Sequence, residues 1–387
     1  MPREEGLRAE LVQAREQTDL LFGLITPAAL YSRPIADRHR LIFYLGHFDA
    51  FDWNLLARRG MGQAPFHPAF DALFERGIDP QPGEAPSDRA SDWPKRDEVE
   101  KYNFRTREWI DGHLTQLDPL LLQMAIEHRY MHAETFAYLM HNLPYGEKAS
   151  GDPPLTSVRP APANPTVRIA ASAVTLGKTS EGFGWDNEHL AHEVFVPEFG
   201  ISKYKISNGE YLDFVREGGP APNFWIRENG EWFYRGMFAA VPLPLACPVW
   251  VTWREASAFA ARRGKALPTE AQFQLASARA RPEAARDNFD FTCWDPVAVD
   301  AANGSGAAPS QTTGNGWEWT RDVFAPFEGF AAHPYYPGYS ADFFDGEHYV
   351  MKGASPRTAR LLTRATFRNW FRPEYPYMYA GFRLVEA

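Results

Sequence analysis

Asp152-Pro153-Pro154 and, a few residues on, Pro160-Ala161-Pro162-Ala163-Asn164-Pro165 divide the chain into halves of different character. Proline fixes φ and removes a hydrogen-bond donor, so this cluster reads as an extended, semi-rigid linker over residues 151–166. Before it, apolar residues recur at helical spacing. Leu7, Leu11, Ala14, Leu20, Leu21 and Leu24 trace a helix from Leu7 to Ile25 that Pro27 stops. Arg38 to Arg58, Glu98 to Leu114 and Pro119 to Asn142 supply three more, with Pro119 suited to a first-turn position. Four helices within residues 1–150 predict a bundle. Gly60 to Pro94, rich in Gly, Pro and Asp, reads as a long irregular connection. After the linker the helical period is lost. Val167 to Ala170, His192 to Val196 and Val249 to Trp253 read as strands, and Asn208 to Glu217 and Arg254 to Arg263 as short helices. Residues 167–387 therefore predict an irregular α+β domain.

Composition narrows the function. With 387 residues, 44% hydrophobic and 23% charged, the chain can bury a large core. Its 40 Lys+Arg against 49 Asp+Glu give a net charge of −9, which repels a phosphate backbone and argues against nucleic acid. Cys247 and Cys293 make neither a disulfide framework nor a thiolate zinc site, so reduced cytosol is the expected compartment. Met1-Pro2-Arg3-Glu4-Glu5 starts charged, with no apolar stretch after it suited to a signal peptide or membrane span; no membrane partner is expected. The unusual figure is 14% aromatic residues, with 12 Trp.

Glu127-His128-Arg129-Tyr130-Met131-His132-Ala133-Glu134 lies in the fourth helix. At i and i+4, His128 and His132 project from one face with Cβ atoms about 5–6 Å apart, close enough to share a metal ion. Glu127 precedes the first histidine, so the hydrolytic zinc motif is absent and a zinc hydrolase is disfavoured. His47, after Gly46 on the second helix, offers a third ligand. Three neutral imidazoles leave positions open, which suits Fe(II) that binds substrate and dioxygen together. Glu134, about 200° round the helix from His132, is assigned to orienting another group rather than to the metal. His39, His67, His113, His141 and His333 read as surface or satisfied polar residues.

Six segments of the second half keep a shared order: Gly182 to Glu188, Ile206 to Phe214, Pro248 to Ala256, Ala266 to Phe273, Gly314-Asn315-Gly316-Trp317-Glu318-Trp319-Thr320, and Ala380-Gly381-Phe382-Arg383-Leu384. In this order they resemble the formylglycine-generating-enzyme type of domain, a variant of the C-type-lectin fold. The cysteine chemistry of that family is not expected, because Cys247 and Cys293 fall outside its copper-binding positions. Joined to a bundle carrying His47, His128 and His132, the whole resembles the non-haem iron sulfoxide synthases of ergothioneine biosynthesis (EgtB), in which the bundle is DinB-like. Ala14 to Thr18, Leu45-Gly46-His47 and the histidine pair ending at Glu134 carry the match. The resemblance implies Fe(II), dioxygen as co-substrate, and bond formation between a chalcogen and the imidazole of hercynine. The quaternary ammonium of that betaine needs an aromatic surround.

Three departures bear on the donor. Phe324, and Phe327 after it, stand where the family often has tyrosine, and a phenyl ring donates no proton; Tyr44, Tyr102 and Tyr130 are the replacement candidates. Phe371 follows Asn369-Trp370 where the family has the aspartate that holds the amino group of γ-glutamylcysteine. Arg76 and Arg89 do not make the clear arginine pair expected for the donor carboxylates. The predicted reaction is therefore carbon–selenium bond formation between hercynine and a selenosugar, as in the selenoneine synthase branch (SenA), with Asn369, Trp370, Phe371, Phe324 and Trp317 about the substrates. The alternative is an ergothioneine sulfoxide synthase using cysteine or γ-glutamylcysteine, and the non-enzyme alternative is a lectin-like small-molecule binding protein.

Overall fold

Two compact units make up the chain, Met1–Gly151 and Asp152–Ala387. The computed structural model describes residues 2–77, 86–149, 151, 159–179, 182–278, 280–302 and 308–386, and for residues 2–5 and 76 the backbone alone.

In the first unit, helices α1 (Pro2–Gly23), α2 (Leu41–Asp52), α3 (Pro68–Arg76), α4 (Arg96–His113) and α5 (Pro119–His141) are present. Leu7, Leu11, Ala14 and Leu21 are buried as expected, but Leu20 is 65% exposed. One residue turns a helix by about 100°, so the buried stripe passes through Thr18 and Leu21 and leaves Leu20 outside. Beyond Asp52 the second helix continues with π-type winding over Trp53–Gly60. The segment read as an irregular connection is corrected by α3. It starts where His67 accepts a hydrogen bond from the Phe70 N–H at 3.2 Å, with Pro68 in the first turn. Further along, the buried carboxylate of Asp88 accepts from Trp93 Nε1 at 2.6 Å and Arg40 Nε at 3.0 Å, and pairs with Arg33. Buried Arg129 on α5 ties down α2 by donating to Asp49 and Asp52 at 2.7 Å each.

The second unit contains strands β1 (Thr166–Ile169), β2 (Ser172–Leu176), β3 (His192–Val196), β4 (Phe199–Ser202), β5 (Trp225–Glu228), β6 (Glu231–Arg235), β7 (Ala240–Pro242), β8 (Lys265–Ala266), β9 (Gly316–Val323), β10 (Tyr349–Ala354), β11 (Asn369–Phe371), β12 (Ala380–Gly381) and β13 (Val385–Glu386). They pair as β1-β4-β13-β8, β11-β10-β9-β12, the hairpin β2-β3, and β5-β6-β7. Helices α6 (Asn208–Arg216), α7 (Trp253–Arg262) and α8 (Glu270–Ser277) each start with a capping box, on Ser207/Glu210, Thr252/Glu255 and Thr269/Gln272. The run Val249–Trp253 forms no ladder. The Val249 N–H reaches the Ile206 carbonyl and the Val251 N–H that of Ala380, two different segments, and Thr252 then caps α7. Trp185, Trp317 and Trp319 lie in the core. Of the linker, residues 152–158 lie outside the described residues. Among the described residues no helix is long and apolar enough to cross a membrane.

Candidate metal centre

Helix α5 is buried almost all round from Leu121 on, and at its exposed start Asp118 caps it by accepting from the Leu120 N–H at 2.8 Å while Pro119 opens it. Its interior face carries His128 and His132, with ring centroids 4.5 Å apart. From α2, His47 comes within 4.6 Å of His132 and 5.1 Å of His128, ring centre to ring centre. One nitrogen from each imidazole falls within 4.8 Å of the others. His47 Nε2 and His132 Nε2 are 3.3 Å apart. Two nitrogens bound to one ion at about 2.0–2.1 Å and near a right angle stand about 3 Å apart, so this pair already has the spacing of ligands on a single metal.

The apolar walls are close. Phe51 lies flat against His128 at 3.4 Å and 8°, and Phe43 stacks on His47 at 4.7 Å and 27°. Burial pushes His47 down from its ordinary 6.5 to about 4, against the raising effect of its hydrogen bond to the Phe74 carbonyl. The same burial drives His128 and His132 well below the usual imidazole range. All three are therefore neutral near pH 7, the form that donates a lone pair to a metal. His132 Nδ1 is buried with no hydrogen-bond partner in the described structure. The residues fit an ion taking three imidazoles.

The three candidate tyrosines have different settings. Tyr102 donates to Asp71 at 2.9 Å and Tyr130 to Glu10 at 3.0 Å, so both hydroxyl protons are engaged away from the imidazoles. Tyr44 is buried, its ring centre 6.0 Å from that of His132, and burial raises its phenol. Glu134 is buried on α5, two residues after His132.

In the second unit, Phe324 and Trp370 stack face to face at 4.3 Å and 5°. Tyr339 and Phe343 meet the same Trp370 at 5.3 and 5.5 Å. Asn369 turns its side-chain oxygen back to the Trp370 N–H at 2.9 Å. Phe371 stacks on Tyr375 at 5.0 Å. Trp317 is 1% exposed in the middle of its sheet and belongs to the core. Arg89 bonds through its own N–H to Asp92 at 2.7 Å, and the side chain of Arg76 is outside the described residues. Sequence reasoning missed Phe43, Phe51 and the Phe74 carbonyl. The aromatic pair sits one turn from the ligands on α2, at a spacing visible in the sequence; a backbone carbonyl leaves no residue-type signal.

Fold and site together define a two-part protein: a helical unit with a buried three-imidazole centre, and a mixed α/β unit rich in stacked aromatics. The family described as the sulfatase-modifying factor enzyme 1-like domain matches residues 154–304 and 281–387, and the chain belongs to that family. It is 28% identical over 423 residues to "Ergothioneine biosynthesis protein 1" of Schizosaccharomyces pombe, with 94% of this chain and 54% of that protein covered. It is 28% identical over 429 residues to "Hercynine oxygenase" of Mycolicibacterium thermoresistibile, covering 100% of this chain and 95% of that one. The chain spans about half the length of the fungal relatives it matches, at 54% and 55%. Among solved structures, PvdO from Pseudomonas aeruginosa is 18% identical with a TM-score of 0.42, covering 57% of this chain and 93% of that one.

Proposed function

We propose that this chain is a non-haem iron enzyme that joins a chalcogen donor to the imidazole of hercynine, using Fe(II) and dioxygen. The observation that carries the reading is the neutral His47–His128–His132 cluster, buried at His47 and His128 and half-buried at His132, whose ligand atoms lie within 4.8 Å of one another. The names of the fungal and mycobacterial relatives support the substrate. In this reading the helical unit is DinB-like and the second unit a C-type-lectin variant.

Fe(II) held by the three imidazoles supplies open coordination positions for a substrate imidazole and for dioxygen. The protein's part is to keep the ligands neutral by burial, to keep bulk water off them with Phe43 and Phe51, and to hold a proton nearby. Tyr44 is the proton donor of choice, because Tyr102 and Tyr130 give their protons to Asp71 and Glu10. A raised phenol keeps its proton until a developing base takes it.

The relatives' names, one of ergothioneine biosynthesis and one of hercynine oxygenation, favour the sulfur reading, an ergothioneine sulfoxide synthase taking cysteine or γ-glutamylcysteine as its donor. A second reading, a selenosugar donor, is favoured by Phe324 and Phe371, since neither supplies the hydroxyl or the charge that an amino-acid thiol would use. Metal analysis of anaerobically purified protein tests the iron, with one equivalent expected and a metal-free, catalytically silent protein overturning the proposal. Aerobic turnover of hercynine with each thiol and with the selenosugar then identifies the donor.

A further inference from the structure

His47 Nδ1 lies 2.7 Å from the carbonyl oxygen of Phe74. A carbonyl only accepts, so this nitrogen carries the ring proton and Nε2 keeps its lone pair, facing His132. Phe74 is among the last four residues of α3, whose carbonyls find no later N–H in the helix and bear its partial negative charge. The imidazole caps the helix, and the helix in return fixes the imidazole. Gly46, next to His47, is what admits α3 this closely: a Cβ there would stand 2.5 Å from Cγ and Cδ1 of the Phe74 ring. Two more bonds at Asp71 anchor α3, the Tyr102 hydroxyl donating to its carboxylate at 2.9 Å and Asn54 Nδ2 to its carbonyl at 3.0 Å.

We propose that α3 is a positioning element for the metal centre: Gly46 admits the Phe74 ring, and the Phe74 carbonyl holds His47 in the Nδ1-protonated form that presents Nε2 to the ion. The inference rests on the metal reading above and deepens it. It assigns metal affinity to Gly46 and Phe74, which touch no metal themselves, in the way that outer hydrogen-bond partners orient ligating histidines.

Co(II) is the probe, because its visible absorption reports ligand geometry independently of turnover. Wild-type protein is expected to take up one equivalent. Gly46→Ala pushes on the Phe74 ring and is expected to weaken Co(II) binding by about 10- to 100-fold, with a changed spectrum. Gly46→Ala combined with Phe74→Ala removes the ring but keeps the carbonyl, and is expected to recover most of the loss. Wild-type affinity and spectrum in Gly46→Ala, or no recovery in the double variant, would overturn the positioning role. A wild-type protein that takes up no Co(II) overturns the metal reading instead. Nitrogen-15 histidine spectra of the unmutated, metal-free protein give a check that needs no variant to fold. His47 is expected to be protonated at Nδ1, and the opposite tautomer sinks the proposal.

Discussion

His47, His128 and His132 in the helical unit and Glu318, Lys205 and Arg383 in the mixed unit are both clusters of titratable side chains turned away from water, and they are partnered in opposite ways. Glu318 accepts from Lys205 Nζ at 2.6 Å and from Arg383 Nε at 2.9 Å, with all three side chains fully buried. Lys205 spends a further N–H on the Gln311 carbonyl at 2.6 Å, and Arg383 donates to the carbonyls of Lys203 and Ser310. One carboxylate faces two cations, whose remaining N–H groups go to backbone carbonyls. The ligand atoms of the first cluster all belong to imidazoles, and burial holds those imidazoles neutral. Three neutral bases gathered around one point offer lone pairs that a cation can take. Burial thus encloses paired charges in one place and neutral bases in the other, and the difference lies in what the polar atoms face.

The sharpest way to break that comparison is at α5. His128→Ala or His132→Ala is expected to abolish stoichiometric iron binding and turnover while the bundle remains folded, as read by metal analysis and circular dichroism. Retained iron in both variants would mean the imidazoles are packing residues like their neighbours. Glu318→Ala should do the reverse. Removing one member of a buried, hydrogen-bonded charge cluster strands the others, and a loss of about 3–5 kcal/mol in urea unfolding is expected. Iron stoichiometry of the folded fraction should be unchanged.

Acid separates the imidazoles from the buried, ion-paired carboxylate of Glu270 by degrees. His47 titrates at about 4 in the folded chain against an ordinary 6.5, because burial outweighs its bond to Phe74. Between those values the unfolded chain binds more protons, so stability of the metal-free protein falls as pH drops through the window, by at most about 1.4 kcal/mol per pH unit for each such imidazole. The carboxylate of Glu270, paired with Arg368 and Lys352, behaves otherwise. Burial pushes Glu270 up, but the charges of Arg368 and Lys352 prevail and its net shift is downward. Its contribution is present above the ordinary carboxylate range and is lost only below it, as pH falls through the depressed value. Urea midpoints of metal-free protein at about pH 7 and about pH 5.5 should therefore differ because of the imidazoles. Equal midpoints would show that burial does not hold them neutral.

How much of this was legible in the sequence depends on whether a signal is local. The His128–His132 spacing is fixed by helical geometry and needs no neighbour, whereas His47 depends on the second helix facing the fourth, which Gly46 suggests and no local spacing fixes. The division at the prolines and the long helices followed from period and composition. Leu20 was misassigned because the apolar pair Leu20-Leu21 does not say which member faces in; Thr18, a polar residue on the inner stripe, decides it. Helix α3 was hidden by the glycines and prolines around it, although His67-Pro68 marks its start, and α8 carried an overlooked capping box at Thr269 and Gln272. Val249 to Trp253 looked like a strand because it is apolar, yet its N–H groups are met by two separate segments, which only the tertiary fold decides.

The smallest expected effect tests whether pairing or burial gives the Glu318 cluster its weight. Lys101 Nζ and Asp97 on α4 form an i,i+4 ion pair at 2.9 Å, as short as the Glu318–Arg383 contact, but their side chains are 75% and 62% exposed. Water solvates both ions when the pair opens, salt screens them when it is closed, and holding two flexible side chains together costs entropy. Lys101→Ala is therefore expected to leave the urea midpoint indistinguishable from that of the unmutated protein. A loss approaching that of Glu318→Ala would show that distance alone sets the value of a pair in this protein, and the reading of buried clusters by what their atoms face would lose its basis.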